Sequence, residues 1–222
     1  MSMAEGIAQL LSSQILFGDY QQKRTLLSQA EIKLLHAQVN PHFLFNALNT
    51  ISAVIRRDPP KARELIQHLS HFFRSNLKQD VETVTLKEEL AHVNAYLTIE
   101  KARFTDRLEV DIDIDSALLE RKLPTFTLQP LVENAIKHGI SNLLEGGKIR
   151  IYSQKLAQGY QLCVEDNAGS YTPPADNHQG LGMQIVDKRL TNKFGQAASL
   201  NIDVTPDQLT RMSFLIPEKK MN

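Results

Sequence analysis

The sequence predicts an α+β protein in which an N-terminal helical hairpin, paired with a second copy into a four-helix bundle, precedes an α/β sandwich. Three observations lead there. Apolar residues recur every three or four positions from Ile32 to Leu77, the period of a buried helical face. From Leu108 to Asp115 they alternate strictly with acidic residues, the period of a half-buried strand. Beyond that point strand-like and helix-like runs are mixed, and 222 residues suffice for two small domains with separate cores.

Residues 1–29 hold Leu10, Leu11, Ile15 and Leu16 on a loose helical period broken by Gly18 and Asp19. They read as a connector helix continuing from an upstream region, the plainer alternative being an amphipathic terminus. Residues 30–105 are the helical region. Ile32, Leu35, Val39, Leu44, Leu48, Ile51 and Ile55 share one face, and Pro41 predicts a kink just before His42. The run Arg56-Arg57-Asp58-Pro59-Pro60 interrupts the helix, and Ala62, Leu65, Ile66, Leu69, Phe72, Phe73 and Leu77 form the return helix. The apolar stripe of this hairpin is too broad to face water alone, so a homodimer is expected. Thr85 with Glu88 is a capping-box pattern, opening a third helix with Leu90, Val93, Leu97 and Phe104 that leads out of the bundle. Residues 106–222 form the second domain, with strands at 108–115, 148–155, 160–166, 200–204 and 210–216 and helices at 129–139 and 182–194.

Lys plus Arg and Asp plus Glu both number 25, so no global field draws the chain to nucleic acid or to an anionic membrane. The single cysteine, Cys163, sits in a strand-like run and reads as a buried hydrophobe in a reducing compartment. No run approaches the roughly 20 apolar residues of a membrane span, and the start lacks a secretory pattern, so a cytoplasmic segment is expected.

Four constellations carry chemistry. In the run from Gln38 to Asn49, His42 follows the proline, and a neutral imidazole is a competent nucleophile near neutral pH, although a lone helical histidine is usually just solvated. In Gln129-Pro130-Leu131-Val132-Glu133-Asn134-Ala135-Ile136-Lys137-His138-Gly139, a helix puts Asn134, Lys137 and His138 on one face. An amide oxygen, a cation and an imidazole together suit a magnesium triphosphate, the alternative being an amphipathic helix with a polar outer face. Asp166, in Val164-Glu165-Asp166-Asn167-Ala168-Gly169 at a strand end, suits an adenine amino group, against an ordinary Asp-Asn turn. Gly180 and Gly182 open a helix that continues to Lys188 and Arg189, after the polar, lid-like stretch 170–179.

The His42 run, with Tyr96-Leu97-Thr98-Ile99-Glu100-Lys101-Ala102-Arg103-Phe104, resembles the LytS/YehU family of sensor histidine kinases over roughly residues 30–217. The resemblance implies that His42 is autophosphorylated with ATP and passes the phosphoryl group to an aspartate of a LytTR-type response regulator. It places the chain as the cytoplasmic portion of a bacterial inner-membrane sensor, meeting the membrane only through an upstream region. Phe43 occupies the place where usual histidine kinases have a carboxylate, which leaves Glu100 or Glu133 as the base for His42, or as structural ion-pair partners. Asn46, one turn after His42, stands where other kinases position water for dephosphorylating the partner. The Asn134 run looks like the asparagine box of the GHKL (Bergerat) ATPases, implying Asn134 as the Mg2+ ligand and Lys137 and His138 as phosphate neighbours. Asp166 and Gly169 match the family's D-x-G-x-G box imperfectly, since Ala168 and Ser170 stand in its glycine places. Gly180 and Gly182 come after the other two boxes in the order found in GHKL proteins, and Lys188 and Arg189 beyond them either touch phosphate or simply face water. Two rivals share these features: a nucleotide-binding pseudokinase that only scaffolds partners, and a GHKL serine kinase of the anti-sigma type.

Overall fold

The structure is a computed structural model that describes residues 41–76, 82–143, 146–169 and 181–218. Two compact units divide the chain, Met1–Asn46 and Ala47–Asn222. The connector segment, the helix expected to run into the kink just before His42, and the lid-like stretch lie outside the described residues.

The two helices expected here are present as α1 (Pro41–Val54) and α2 (Pro59–Asn76). The break between them has a local cause. Asp58 accepts the Lys61 amide on its side chain, at 2.9 Å, and Pro59 enters the first turn, where its missing N–H costs nothing. On α2, Ala62, Leu65, Leu69 and Phe72 are buried, as the helical period requires. On α1 the stripe falls differently from expectation: Phe43, Ala47 and Ile51 are the buried residues, while Leu48 and Ile55 stand in the open.

The capping box is formed. The Glu88 amide donates to Thr85 Oγ1 at 3.2 Å and the Thr85 amide to Glu88 Oε2 at 2.8 Å, opening α3 (Leu86–Phe104). This helix does not simply leave the hairpin. Leu86, Glu89, His92, Val93, Tyr96, Leu97, Ile99 and Glu100 are all buried, because α3 packs on α2 and on the first helix of the sandwich at once. The ring of Phe72 on α2 stacks on His92, 4.8 Å between centroids and 6° from parallel.

Five strands form one sheet in the order β2 (Leu108–Asp113), β4 (Gly147–Leu156), β5 (Gly159–Asp166), β7 (Thr210–Pro217), β6 (Asn201–Val204). Only β2 and β4 run parallel. A separate antiparallel ribbon pairs β1 (Thr83–Thr85) with β3 (Lys122–Pro124), which sequence periodicity missed because three residues carry no readable alternation. In β2 just Leu108 is buried and Ile112 is exposed, so the alternation marks an edge strand rather than a half-buried one.

One face of the sheet carries Ile149, Ile151, Leu162, Val164, Met212, Phe214 and Ile216, all buried in the core with α4 (Leu128–Asn134) and α5 (Leu181–Phe194). The opposite face is a ladder of charges, with Lys148 to Glu109 at 3.7 Å and Arg150 to Asp111 at 3.3 Å. Glu165 sits on that face, accepting from Tyr152 Oη at 2.8 Å and pairing with Arg211 Nε at 2.5 Å. Cys163, on the same face, is buried as expected, and burial pushes its thiol up.

Candidate functional site

Register decides which side of the sheet Asp166 faces. It pairs with Ile149 and Thr210, so its side chain lies on the apolar, helix-covered face while its neighbour Glu165 points to the charged one. Its carboxylate is buried, accepting the Ala168 amide on Oδ1 at 3.0 Å and a hydrogen bond from the Thr210 side chain. Burial nonetheless pushes the carboxyl up to about 6, outweighing those two bonds. Thr210 was not singled out by sequence, since its partnership with Asp166 exists only across the β5–β7 pairing.

Gly139 meets this carboxylate from the other side. A Cβ on Gly139 would lie 2.7 Å from Asp166 Oδ1 and 2.9 Å from its carboxyl carbon, so glycine allows the close approach. The expected helix over 129–139 is only partly α-helical. It runs as α4 to Asn134 and then widens into a π turn over Ala135–Gly139, with the Ser141 hydroxyl donating to the Ile136 carbonyl at 2.8 Å. Lys137 and His138 are exposed on that turn, and Asn134 is half-buried at its start. The Asn134 amide nitrogen contacts Met212 Sδ at 3.8 Å, which directs the amide oxygen away from the thioether. That oxygen is a ligand of the hard kind magnesium accepts, and Asp166 supplies a buried acceptor one layer below, so the donor set fits a magnesium nucleotide.

Gly169 has φ +57, and a side chain there would strike the Gln208 carbonyl at 2.3 Å. The displaced glycine of the imperfect box is thus required by the turn it occupies. Gly182 lies exposed in the first turn of α5 with open space about it, and Gly180 falls outside the described residues. Arg189 donates to the Thr125 carbonyl at 3.0 Å, tying α5 to the loop that feeds α4.

Burial pushes both Glu100 and Glu133 up, and the Glu133 charge raises Glu100 further while Arg103 pulls it back. Glu100 is ion-paired with Arg103 at 2.6 Å, and Glu133 accepts from Gln129 Nε2 at 2.6 Å. Gln129 in turn accepts from His92 Nε2 at 2.7 Å, while His92 Nδ1 is buried without a hydrogen bond. Burial lowers the pKa of this imidazole. In the other unit, His42 is exposed, and Asn46 Nδ2 lies 3.3 Å from its Nδ1, the same-face placement expected one turn apart. Phe43 is buried, so the position after the histidine belongs to packing.

A family model described as histidine kinase matches residues 30–108. The sensor histidine kinase BtsS of Escherichia coli K12 is 56% identical over 97% of this chain, and the sensor protein LytS of Staphylococcus saprophyticus is 41% identical over 97%. The chain belongs to the LytS/YehU family of sensor histidine kinases. It spans 38% of the length of those two relatives. Among solved structures, the histidine kinase AdeS of Acinetobacter baumannii is similar at 15% identity and a TM-score of 0.47, covering 72% of this chain and 79% of that one. Within a LytS/YehU chain, Gly139 and Thr210 take their place beside Asp166 as residues that the motifs alone do not assign.

Proposed function

We propose that this chain is the catalytic core of a sensor histidine kinase that phosphorylates His42 with ATP and passes the phosphoryl group to an aspartate of a LytTR-type response regulator. The observation that carries the reading is the Asp166 carboxylate, buried between Gly139 and Thr210 on the helix-covered face, beneath a helix end that presents Asn134. A buried carboxylate is costly unless it has a partner, and the exocyclic amine of adenine is a donor of the required kind. Asn134 is the residue to hold magnesium, which when bound would neutralise charge on the phosphate oxygens. Lys137 and His138, exposed on the π turn, lie where phosphates would pass, and Gly182 lets backbone approach them at the start of α5.

His42 then attacks the γ-phosphorus through a ring nitrogen; the bond to the leaving ADP oxygen breaks and the imidazole proton goes to a base. Of the two candidate carboxylates, Glu133 suits that role better, because it is the partly exposed one and adjoins Asn134, whereas Glu100 is buried and ion-paired. Asn46, beside the imidazole, would place water for dephosphorylating the regulator. The chain works as a homodimer in the cytoplasm, with the membrane reached through an upstream region.

Incubation with ATP labelled on the γ-phosphate tests this directly. The expected product is an acid-labile, alkali-stable label on the chain, absent from His42→Gln and transferable to a receiver domain, from which Asn46→Ala removes it more slowly. No label on the wild type would favour a pseudokinase, and acid-stable label on a separate protein would favour a serine kinase.

A further inference from the structure

We infer that Glu89 is a positioning residue for the nucleotide site, holding the helix that presents Asn134 in its place above Asp166; the inference rests on the nucleotide reading above. Glu89 projects from α3 and is buried, with 3% of its surface exposed. Its two carboxylate oxygens accept three successive backbone amides at the entrance to α4: Phe126 at 2.7 Å on Oε1, and Thr127 at 3.0 Å and Leu128 at 2.9 Å on Oε2. Burial pushes this carboxyl up, while those amides and the Arg189 guanidinium pull it back.

The grip falls where the backbone cannot hold itself. Phe126 has φ +60, a conformation that non-glycine residues rarely adopt, and Thr127 makes no side-chain cap to α4. The amides that a helix start leaves unpaired are therefore satisfied from another helix 37 to 39 residues away in sequence. The return half of the clamp is present too. The first amides of α3, on Leu86 and Lys87, donate to the carbonyls of Arg121 at 2.8 Å and Leu119 at 2.9 Å. The β1–β3 ribbon pairs Thr85 with Lys122, and one turn along α3 His92 reaches Gln129. So α3 fixes the whole approach to α4, and Glu89 is its only anionic contact with the amides of that approach among the described bonds.

α4 is seven residues long, and Asn134 ends it. A shift or twist at its start is carried to Asn134 and the π turn without attenuation, because a single rigid helix lies between. Asp166 stands on the sheet, at the end of β5, and is anchored there by the Ala168 amide and the Thr210 side chain. Loss of Glu89 should therefore disturb the phosphate and magnesium end of the site more than the adenine end.

Binding of adenosine and of ATP with magnesium to the 222-residue chain, as wild type, Glu89→Gln and Glu89→Ala, separates the possibilities. Well below the melting temperature, we expect both variants to bind adenosine within about twofold of wild type. Affinity for magnesium ATP should fall by about tenfold or more in Glu89→Ala and by less in Glu89→Gln, which keeps one acceptor oxygen. Unchanged magnesium ATP affinity in folded Glu89→Gln, or equal losses for the two ligands, overturns the positioning role. If Glu89→Ala does not fold, Glu89→Gln alone decides between those results. A wild type that binds neither ligand overturns the nucleotide reading and this inference with it.

Discussion

Burial pushes the Asp166 carboxyl from its ordinary 3.8 up to about 6, and this gives folding and binding opposite pH dependences. The folded chain holds that proton more tightly than the unfolded one, so stability from this group is greatest below 3.8 and declines as pH rises towards about 6. Adenine binding needs the ionised acceptor, so adenosine affinity should rise over the same window, by about tenfold between pH ~5 and pH ~7. Calorimetric titration with adenosine avoids the phosphates' own titration, and an affinity independent of pH would count against the contact. Glu133 poses a separate question at the same scale. If it takes the proton from His42, Glu133→Gln should slow autophosphorylation by about a hundredfold while magnesium ATP affinity holds within about twofold. Equal rates would leave Glu133 as a partner of Gln129 only.

Helix starts in this protein are capped in two ways, and only one could be read from the chain. At α3 the cap is local, Thr85 with Glu88, three residues apart. Thr85→Ala should lower stability by about 1 kcal/mol in urea denaturation, since the amides of Leu86 and Lys87 keep their partners on the 119–121 segment. An unchanged midpoint would mean that the Thr85 contribution is idle. At α4 the cap is Glu89, and no spacing rule links a residue to amides almost forty positions on. The helix over 129–139 was legible in the sequence, whereas the π turn that ends it and the approach of Gly139 to Asp166 were not, the latter being a tertiary contact.

At the scale of the molecule, α1 and α2 leave Leu48, Ile55 and Ile66 each about half exposed, at 49%, 50% and 47%. Three large aliphatic side chains on one hairpin are what a second copy would cover, and Phe45 on the same helix is 69% exposed. Light scattering at micromolar concentration should give a dimer, and Leu48→Glu with Ile66→Glu should give a folded monomer. A monomeric wild type would remove the four-helix bundle. The stripe that sequence periodicity assigned to a single buried face includes Leu48 and Ile55. Periodicity records that residues are apolar and share a side, and is blind to whether the same chain or another covers them.

From the sequence alone came the two N-terminal helices, the strand expected at 108–115 and found at 108–113, and the other four strands of the sheet near their observed limits. These rest on interactions between residues within one or two turns, or on alternation along one strand, so local order is sufficient to specify them. What the tertiary structure decided was partnership: Thr210 and Gly139 about Asp166, Glu89 on the entrance to α4, and His92 joined through Gln129 to Glu133. Each of those contacts joins residues far apart in the chain, and it forms because burial strips water from polar groups that must then find one another.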